Sequence, residues 1–179
     1  MEYLIVGIAS YLMGSIPFGL ILTKIFLKKD IRDIGSGNIG ATNVLRTGNK
    51  LIGYLTLLLD ITKAIIPVIY VKINFPELIY IASLCAFLGH VFPIWLKFKG
   101  GKGVATYVGI LFSINILLGI VFILSWIIIF LLSKYSSLSS IVASLSVPVY
   151  LLIKGNIDIV IFFIIMFVLI FFTHRENIK

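Results

Sequence analysis

Two stretches of this chain carry side chains suited to holding an anion. The first is Gly35-Ser36-Gly37-Asn38-Ile39-Gly40-Ala41-Thr42-Asn43, followed by Arg46. Glycines let a backbone turn its N–H groups toward a ligand, Ser, Asn and Thr add neutral donors, and Arg46 supplies a counter-charge. These residue types admit two readings, an oxyanion cradle or a flexible polar loop. The second stretch is Lys97-Phe98-Lys99-Gly100-Gly101-Lys102-Gly103-Val104-Ala105-Thr106, just ahead of an apolar run. Backbone donors and the positive end of a helix there favour an anion near Lys102. The G-x-x-x-x-G-K-[ST] spacing is absent, no strand precedes it and no acidic pair could hold magnesium, which excludes a nucleotide triphosphatase. Lys97 and Lys99 suit anionic lipid headgroups better than a small ligand.

Other polar residues are fewer. Ser139 and Ser140 open an apolar run, where serine caps a helix, and capping is compatible with binding a ligand. His174-Arg175-Glu176-Asn177 follows the last apolar run, either as a cationic flank or as chemistry, since a flank needs neither His nor Asn. His90 lies at membrane depth, where histidine faces the protein interior or a polar cavity, and a functional role is favoured. Asp60 and Lys63, at i and i+3, share a helix face and read as a structural pair supporting the site. Gly14-Ser15-Ile16-Pro17-Phe18-Gly19 implies a kink with close packing, or an opening for a ligand from the bilayer. There is no His or Cys cluster at metal spacing, and no carboxylates are paired in the loops as a general acid and base. No cofactor is implied. Positioned donors and cations suit a substrate that brings its own phosphate and its own leaving group.

The elements that must position these residues follow from composition. Of 179 residues, 60% are hydrophobic and 12% charged, against about 25% charged in soluble domains. An ordinary soluble domain and a disordered chain are excluded, and the single cysteine, Cys85, excludes a disulfide scaffold. An all-α, polytopic membrane protein remains, as one integral membrane domain over 1–179. Spans are expected at Leu4 to Leu22, Leu51 to Val71, Leu78 to Leu96, Leu138 to Ile153 and Ile157 to Thr173. The stretch Val104 to Ser133 is too long for one span and short for two. Ser113, Asn115 and Gly119 offer a turn, so it reads as two short or tilted helices, giving seven spans.

With seven spans and the N-terminus outside, Lys24, Lys28, Lys29, Arg32, Arg46, Lys50, Lys97, Lys99, Lys102, Lys134, Arg175 and Lys179 are cytoplasmic, and only Lys72 and Lys154 face out. A six-span reading exports Lys134 and fits worse. The first helix reads as a retained signal anchor, because its basic cluster follows the apolar run. The net charge of +8 is then part topology and part site, with no nucleic-acid partner to explain. Four polar segments face the cytoplasm: Asp30 to Lys50, Lys97 to Gly103, Tyr135 to Ser140 and His174 to Lys179.

Taken together, the motifs Gly14 to Gly19, Gly35 to Val44, Gly89-His90-Val91-Phe92-Pro93, Phe98 to Thr106, Ser137 to Ser140 and His174 to Ile178 resemble the bacterial acyl-phosphate-dependent glycerol-3-phosphate acyltransferases. Six motifs in register cover nearly the whole chain. The resemblance implies a seven-helix enzyme of the bacterial inner membrane with a cytoplasmic-side active site. Such an enzyme moves a fatty acyl group from acyl phosphate to the 1-hydroxyl of glycerol 3-phosphate, giving lysophosphatidic acid and phosphate. The H-x-x-x-x-D motif of other glycerophosphate acyltransferases is missing, with Trp95 where the acid would follow His90. By motif position, Ser36 and Arg46 hold the glycerol 3-phosphate phosphate, with Asn38, Thr42 and Asn43 shaping that loop and His90 and Gly101 on the substrate-binding side. Lys102, Ser140, His174 and Asn177 surround the acyl-phosphate phosphate and the developing oxyanion. The substrate's own phosphate is expected as base, ahead of His90 or His174. Membrane lipids are implied as partners, and the soluble enzyme that makes acyl phosphate as a further one.

Two rival classes use the same residues. A transporter of phosphorylated metabolites places broken helices and charges at the midplane in repeated halves. The echo between Gly37-Asn38-Ile39-Gly40-Ala41-Thr42 and Gly101-Lys102-Gly103-Val104-Ala105-Thr106 is the only repeat, and it lies at the membrane surface. A lipid-binding structural subunit needs only the positive charges and leaves the Ser, Asn and His residues unused.

Overall fold

The computed structural model describes residues 1–178; Lys179, expected on the cytoplasmic side, lies outside the described residues. All regular elements among them are helical. They are α1 (Glu2–Gly14), α2 (Phe18–Leu27), α3 (Ala41–Leu45), α4 (Lys50–Asn74), α5 (Ile79–Val91), α6 (Val104–Ile114), α7 (Ile116–Ser133), α8 (Ser136–Ile153), α9 (Ile157–Thr173) and α10 (Arg175–Ile178). Single 3-10 turns occur at Ile31–Asp33, Pro76–Leu78 and Ile94–Leu96. Among the described residues five helical stretches are long and apolar enough to cross a membrane: Glu2–Leu27, Lys50–Asn74, Pro76–Leu96, Ile116–Ser133 and Ser136–Ile153. Val104–Ile114 and Ile157–Thr173 are shorter apolar helices. Large apolar side chains such as Leu132, Ile153 and Ile161 are exposed along them, as a lipid-facing surface requires.

The chain folds as two compact units, Met1–Ile110 and another that begins at Leu111. In the first, α1 packs on α4 and α5, and small residues set the approach. A Cβ on Gly14 would overlap the Ala86 carbonyl oxygen, and one on Gly89 the Tyr11 carbonyl oxygen, so α1 and α5 touch backbone to backbone. The helix breaks at Ser15-Ile16-Pro17, as the sequence implied, because proline cannot continue it. The break is closely packed: a Cβ on Gly19 would overlap the Ile39 carbonyl oxygen.

In the second unit, α8 packs against both α7 and α9. The expected turn falls at Asn115, whose backbone is extended and whose Oδ1 accepts from Leu117 N at 2.8 Å, capping α7. Gly119 lies against the Phe112 ring, closing that turn.

Two boundaries differ from expectation. The helix expected to reach Leu96 ends at Val91, because Pro93 disfavours helix at the residue before it. The polar segment from Tyr135 to Ser140 is mostly helix: Lys134 takes a left-handed turn and α8 starts at Ser136. Ser139 and Ser140 therefore do not cap. Their hydroxyls donate back to the carbonyls of Tyr135 and Ser136 at 2.8 and 2.9 Å.

Candidate active site

The polar loop between α2 and α4 is held from below and from within. Ile31, Ile39 and Val44 are fully or nearly fully buried and pack with Leu20 and Ile52. Each such side chain is worth about 1.5–3 kcal/mol of burial, so the loop is a folded element, and the flexible-loop alternative is set aside. Asn43, 2% exposed, organises its interior. Its Nδ2 lies 3.1, 2.8 and 2.8 Å from the carbonyl oxygens of Ile31, Ile34 and Asn38, and its Oδ1 accepts from Ser36 N at 3.0 Å. Asn38 Oδ1 accepts from Gly40 N at 2.9 Å, closing the turn before α3. Gly35 and Gly37 take positive φ of 57° and 69°, conformations costly for other residues.

What the loop presents outward is Ser36, Thr42 and Arg46, all exposed. The Arg46 side chain lies across Gly35, where a Cβ would sit 2.9 Å from its Cδ. Asp30 is already committed: its carboxylate accepts from Arg32 Nε at 2.9 Å and Arg32 Nη2 at 2.6 Å, with Lys24 Nζ at 3.4 Å. The hydrogen bonds from the Arg32 guanidinium hold its pKa well below the usual carboxylate range. Among the described residues no ion pair involves Arg46. Its charge is available to an incoming anion.

The second loop folds back on the end of α5. Gly100 N and Gly101 N donate to the carbonyls of Val91 and His90, each at 3.0 Å, satisfying groups that a helix end leaves bare. A Cβ on Gly101 would overlap Nε2 of His90, so the imidazole lies directly under this backbone. Lys97 and Phe98 adopt left-handed conformations. Gly103, with φ of 84° and the Phe87 ring against it, turns the chain into α6. Lys102 is thus half-buried just ahead of a helix N-terminus. Trp95, Phe98, Lys97 and Lys99 are exposed beside it, the composition of a membrane-interface segment.

Beneath the first unit's loops, Asp60, Lys63 and His90 form one buried group. Lys63 Nζ lies 2.7 Å from Asp60 Oδ1, confirming the structural pair, and donates to the Ile16 carbonyl at 2.7 Å. His90 Nδ1 lies 3.8 Å from the same Asp60 oxygen.

In the second unit, Ser140 is 3% exposed and accepts from the Trp126 indole N–H at 3.1 Å. His174 ends α9, buried, with Nδ1 2.8 Å from the Ile170 carbonyl oxygen. Asn177 is exposed on α10, its backbone N–H donating to the His174 carbonyl at 2.8 Å.

Within the first unit the structure therefore joins Ser36, Asn38, Asn43 and Arg46 in one loop, and His90 with Gly101 in another. Trp126 and Asp60 are partners of site residues that spacing alone did not connect to them. The prefolding of this loop had one sequence signal, the apolar residues Ile31, Ile34, Ile39 and Val44 threaded through a polar segment.

These features define a multi-pass helical membrane protein with two polar, glycine-bearing loops folded against its helices. A sequence model of the glycerol-3-phosphate acyltransferase family matches residues 4–179. A glycerol-3-phosphate acyltransferase of Pelagibacter ubique is 78% identical across the whole chain and 93% of its own length. One from Bradyrhizobium diazoefficiens is 50% identical over 96% of this chain and 87% of its own. A crystal structure of PlsY (YgiH), an integral membrane glycerol 3-phosphate acyltransferase in its glycerol 3-phosphate form, superposes with a TM-score of 0.91. That match has 39% identity and covers 99% of this chain and 90% of the other. The same protein in a lysophosphatidic acid form gives 0.89 at 38% identity, with the same coverage. The chain belongs to the glycerol-3-phosphate acyltransferase family.

Proposed function

We propose that this protein acylates the 1-hydroxyl of glycerol 3-phosphate with acyl phosphate as donor, releasing lysophosphatidic acid and inorganic phosphate. The observation that carries the reading is the prefolded loop in which Asn43 fixes the Ser36 backbone while Arg46 stays unpaired. A small phosphorylated acceptor suits the exposed Ser36 and the unpaired cation of Arg46. The PlsY structures in glycerol 3-phosphate and lysophosphatidic acid forms support acceptor and product.

In this reading Ser36 and Arg46 bind the acceptor phosphate, with Asn38, Thr42 and Asn43 shaping the loop and His90 and Gly101 forming the floor of the neighbouring one. The acceptor hydroxyl oxygen attacks the acyl carbonyl carbon. The carbon–oxygen bond to phosphate then breaks, and phosphate leaves with the electron pair. The hydroxyl proton passes to a substrate phosphate oxygen, which accounts for a site without an obvious side-chain base. Lys102 offsets the charge that grows on the carbonyl and leaving oxygens, the kind of stabilisation that contributes most to such reactions. Ser140, His174 and Asn177 are assigned to the acyl phosphate. Seven spans, an outside N-terminus and a site facing the cytoplasm of a bacterial inner membrane complete the proposal. The soluble enzyme that makes acyl phosphate is its proposed partner.

The deciding experiment incubates purified protein with acyl phosphate and labelled glycerol 3-phosphate. Labelled lysophosphatidic acid and one phosphate per turnover are expected. Product formed only from an acyl thioester would overturn the donor assignment, and no product from a folded preparation would overturn the enzyme.

A further inference from the structure

Lys63 does more than neutralise Asp60. Its ammonium is shared between the Asp60 carboxylate on α4 and the Ile16 carbonyl at the Pro17 break, at 2.7 Å each, and that carbonyl also accepts from Phe18 N at 3.1 Å. The Phe18 ring covers the same ammonium at 5.8 Å. Asp60 in turn faces His90 on α5, 3.8 Å from Nδ1. The other side of that imidazole fills the space under Gly101, and the His90 carbonyl accepts from Gly101 N. All three side chains are 2–3% exposed. A single buried polar group therefore runs from the helix break, across α4 and α5, to the residue preceding Lys102.

Stability alone does not account for such a group. Well-packed apolar residues in place of a buried ion pair are often neutral or stabilising. In some proteins buried polar groups are kept because they fix register and geometry. We infer that Asp60, Lys63 and His90 act as one positioning unit, which sets the height and orientation of the Gly101-Lys102 backbone. Asp60 and Lys63 act in it through His90, and His90 through the backbone of Gly101 that it underlies. The inference rests on the proposed reading of Lys102 for its effect on rate, but not for its effect on the loop.

The test replaces the pair by apolar residues, Asp60→Leu with Lys63→Met, in a Cys85→Ala background carrying a nitroxide at Lys99→Cys. Lys99 is exposed and stands outside the binding groups. The expected result is a folded protein with an unchanged melting temperature, a more mobile label, and kcat reduced at least tenfold. The half-saturating glycerol 3-phosphate concentration should stay within threefold of the parent. Where the pair variant does not fold, His90→Ala, which empties the space under Gly101 and leaves the pair in place, is read in the same two ways. An unmoved label in a folded variant overturns the positioning unit, whatever the rate. A loosened label with an unchanged kcat upholds the unit and removes Lys102 from the chemistry.

Discussion

The carboxamide oxygen of Asn43 sits 3.0 Å from the backbone nitrogen of Ser36, while its nitrogen spans three carbonyls on the same loop. Asn43→Ala strands those buried groups at about 1–3 kcal/mol each. The half-saturating glycerol 3-phosphate concentration should rise at least tenfold and the melting temperature should fall. Asn43→Asp should be no better, because a carboxylate keeps the acceptor and sets an anion against the carbonyls of Ile31, Ile34 and Asn38. A wild-type response in Asn43→Asp, read by steady-state kinetics, would show that the donor half of the amide is dispensable.

Arg46 and Lys102 should separate kinetically. On the proposed assignment Arg46→Ala removes the cation that binds the ground-state phosphate, so its main effect belongs in the acceptor concentration requirement. On the same assignment Lys102→Ala removes charge stabilisation of the transition state and should cut kcat about 10²-fold or more. Initial rates over a matrix of both substrate concentrations distinguish the two. A pure kcat defect in Arg46→Ala would mean it serves the wrong substrate in the present assignment.

Gly101→Ala pushes a methyl group into the His90 ring. The single variant should lose most activity and unfold at lower temperature. Adding His90→Ala vacates the space, so the double variant should be more stable than Gly101→Ala alone, a coupling that independent sites do not show. Additive losses in thermal unfolding would refute the contact.

Acid should leave the Asp30 cluster intact over the working range. The bond from Arg32 lowers the Asp30 pKa in the folded protein, so the group contributes stability above its unfolded value of about 3.9. That contribution is lost only as pH falls through the lowered folded value. The decrement in melting temperature caused by Asp30→Asn should therefore be the same at pH 5 and pH 7. A decrement that vanishes on going from pH 7 to pH 5 would contradict the assignment.

Orientation is open to direct labelling. With Cys85→Ala as background, Ser137→Cys should react with an impermeant maleimide only after the membrane is opened, and Lys72→Cys should react from outside. The reverse pattern would sink the seven-span count with its outside N-terminus.

Much of this architecture is legible in the chain because its causes are local. Asn115 ends one helix and caps the next within a two-residue reach, and Pro17 breaks another by its own ring. Asp60 and Lys63 pair across one helical turn, which spacing alone reveals. What escaped reading was contact at long separation. Nothing in the sequence ties Lys63 to Ile16, 47 residues away, or His90 to Gly101, or Trp126 to Ser140. Ser139 and Ser140 lie inside α8 rather than at its start for a related reason: the helix start depends on a left-handed Lys134, a conformation that lysine does not advertise. In the loop from Asp30 to Arg46, polar composition concealed that every few residues an isoleucine or valine reaches the core.

Those apolar anchors have a thermodynamic consequence. A segment that orders only around its ligand carries the entropy of ordering into the binding equilibrium, and the heat capacity of association becomes large and negative. With Ile31, Ile39 and Val44 already buried, that entropy is lost during folding. If the loop binds glycerol 3-phosphate as proposed, calorimetry should record the association with a small heat-capacity change.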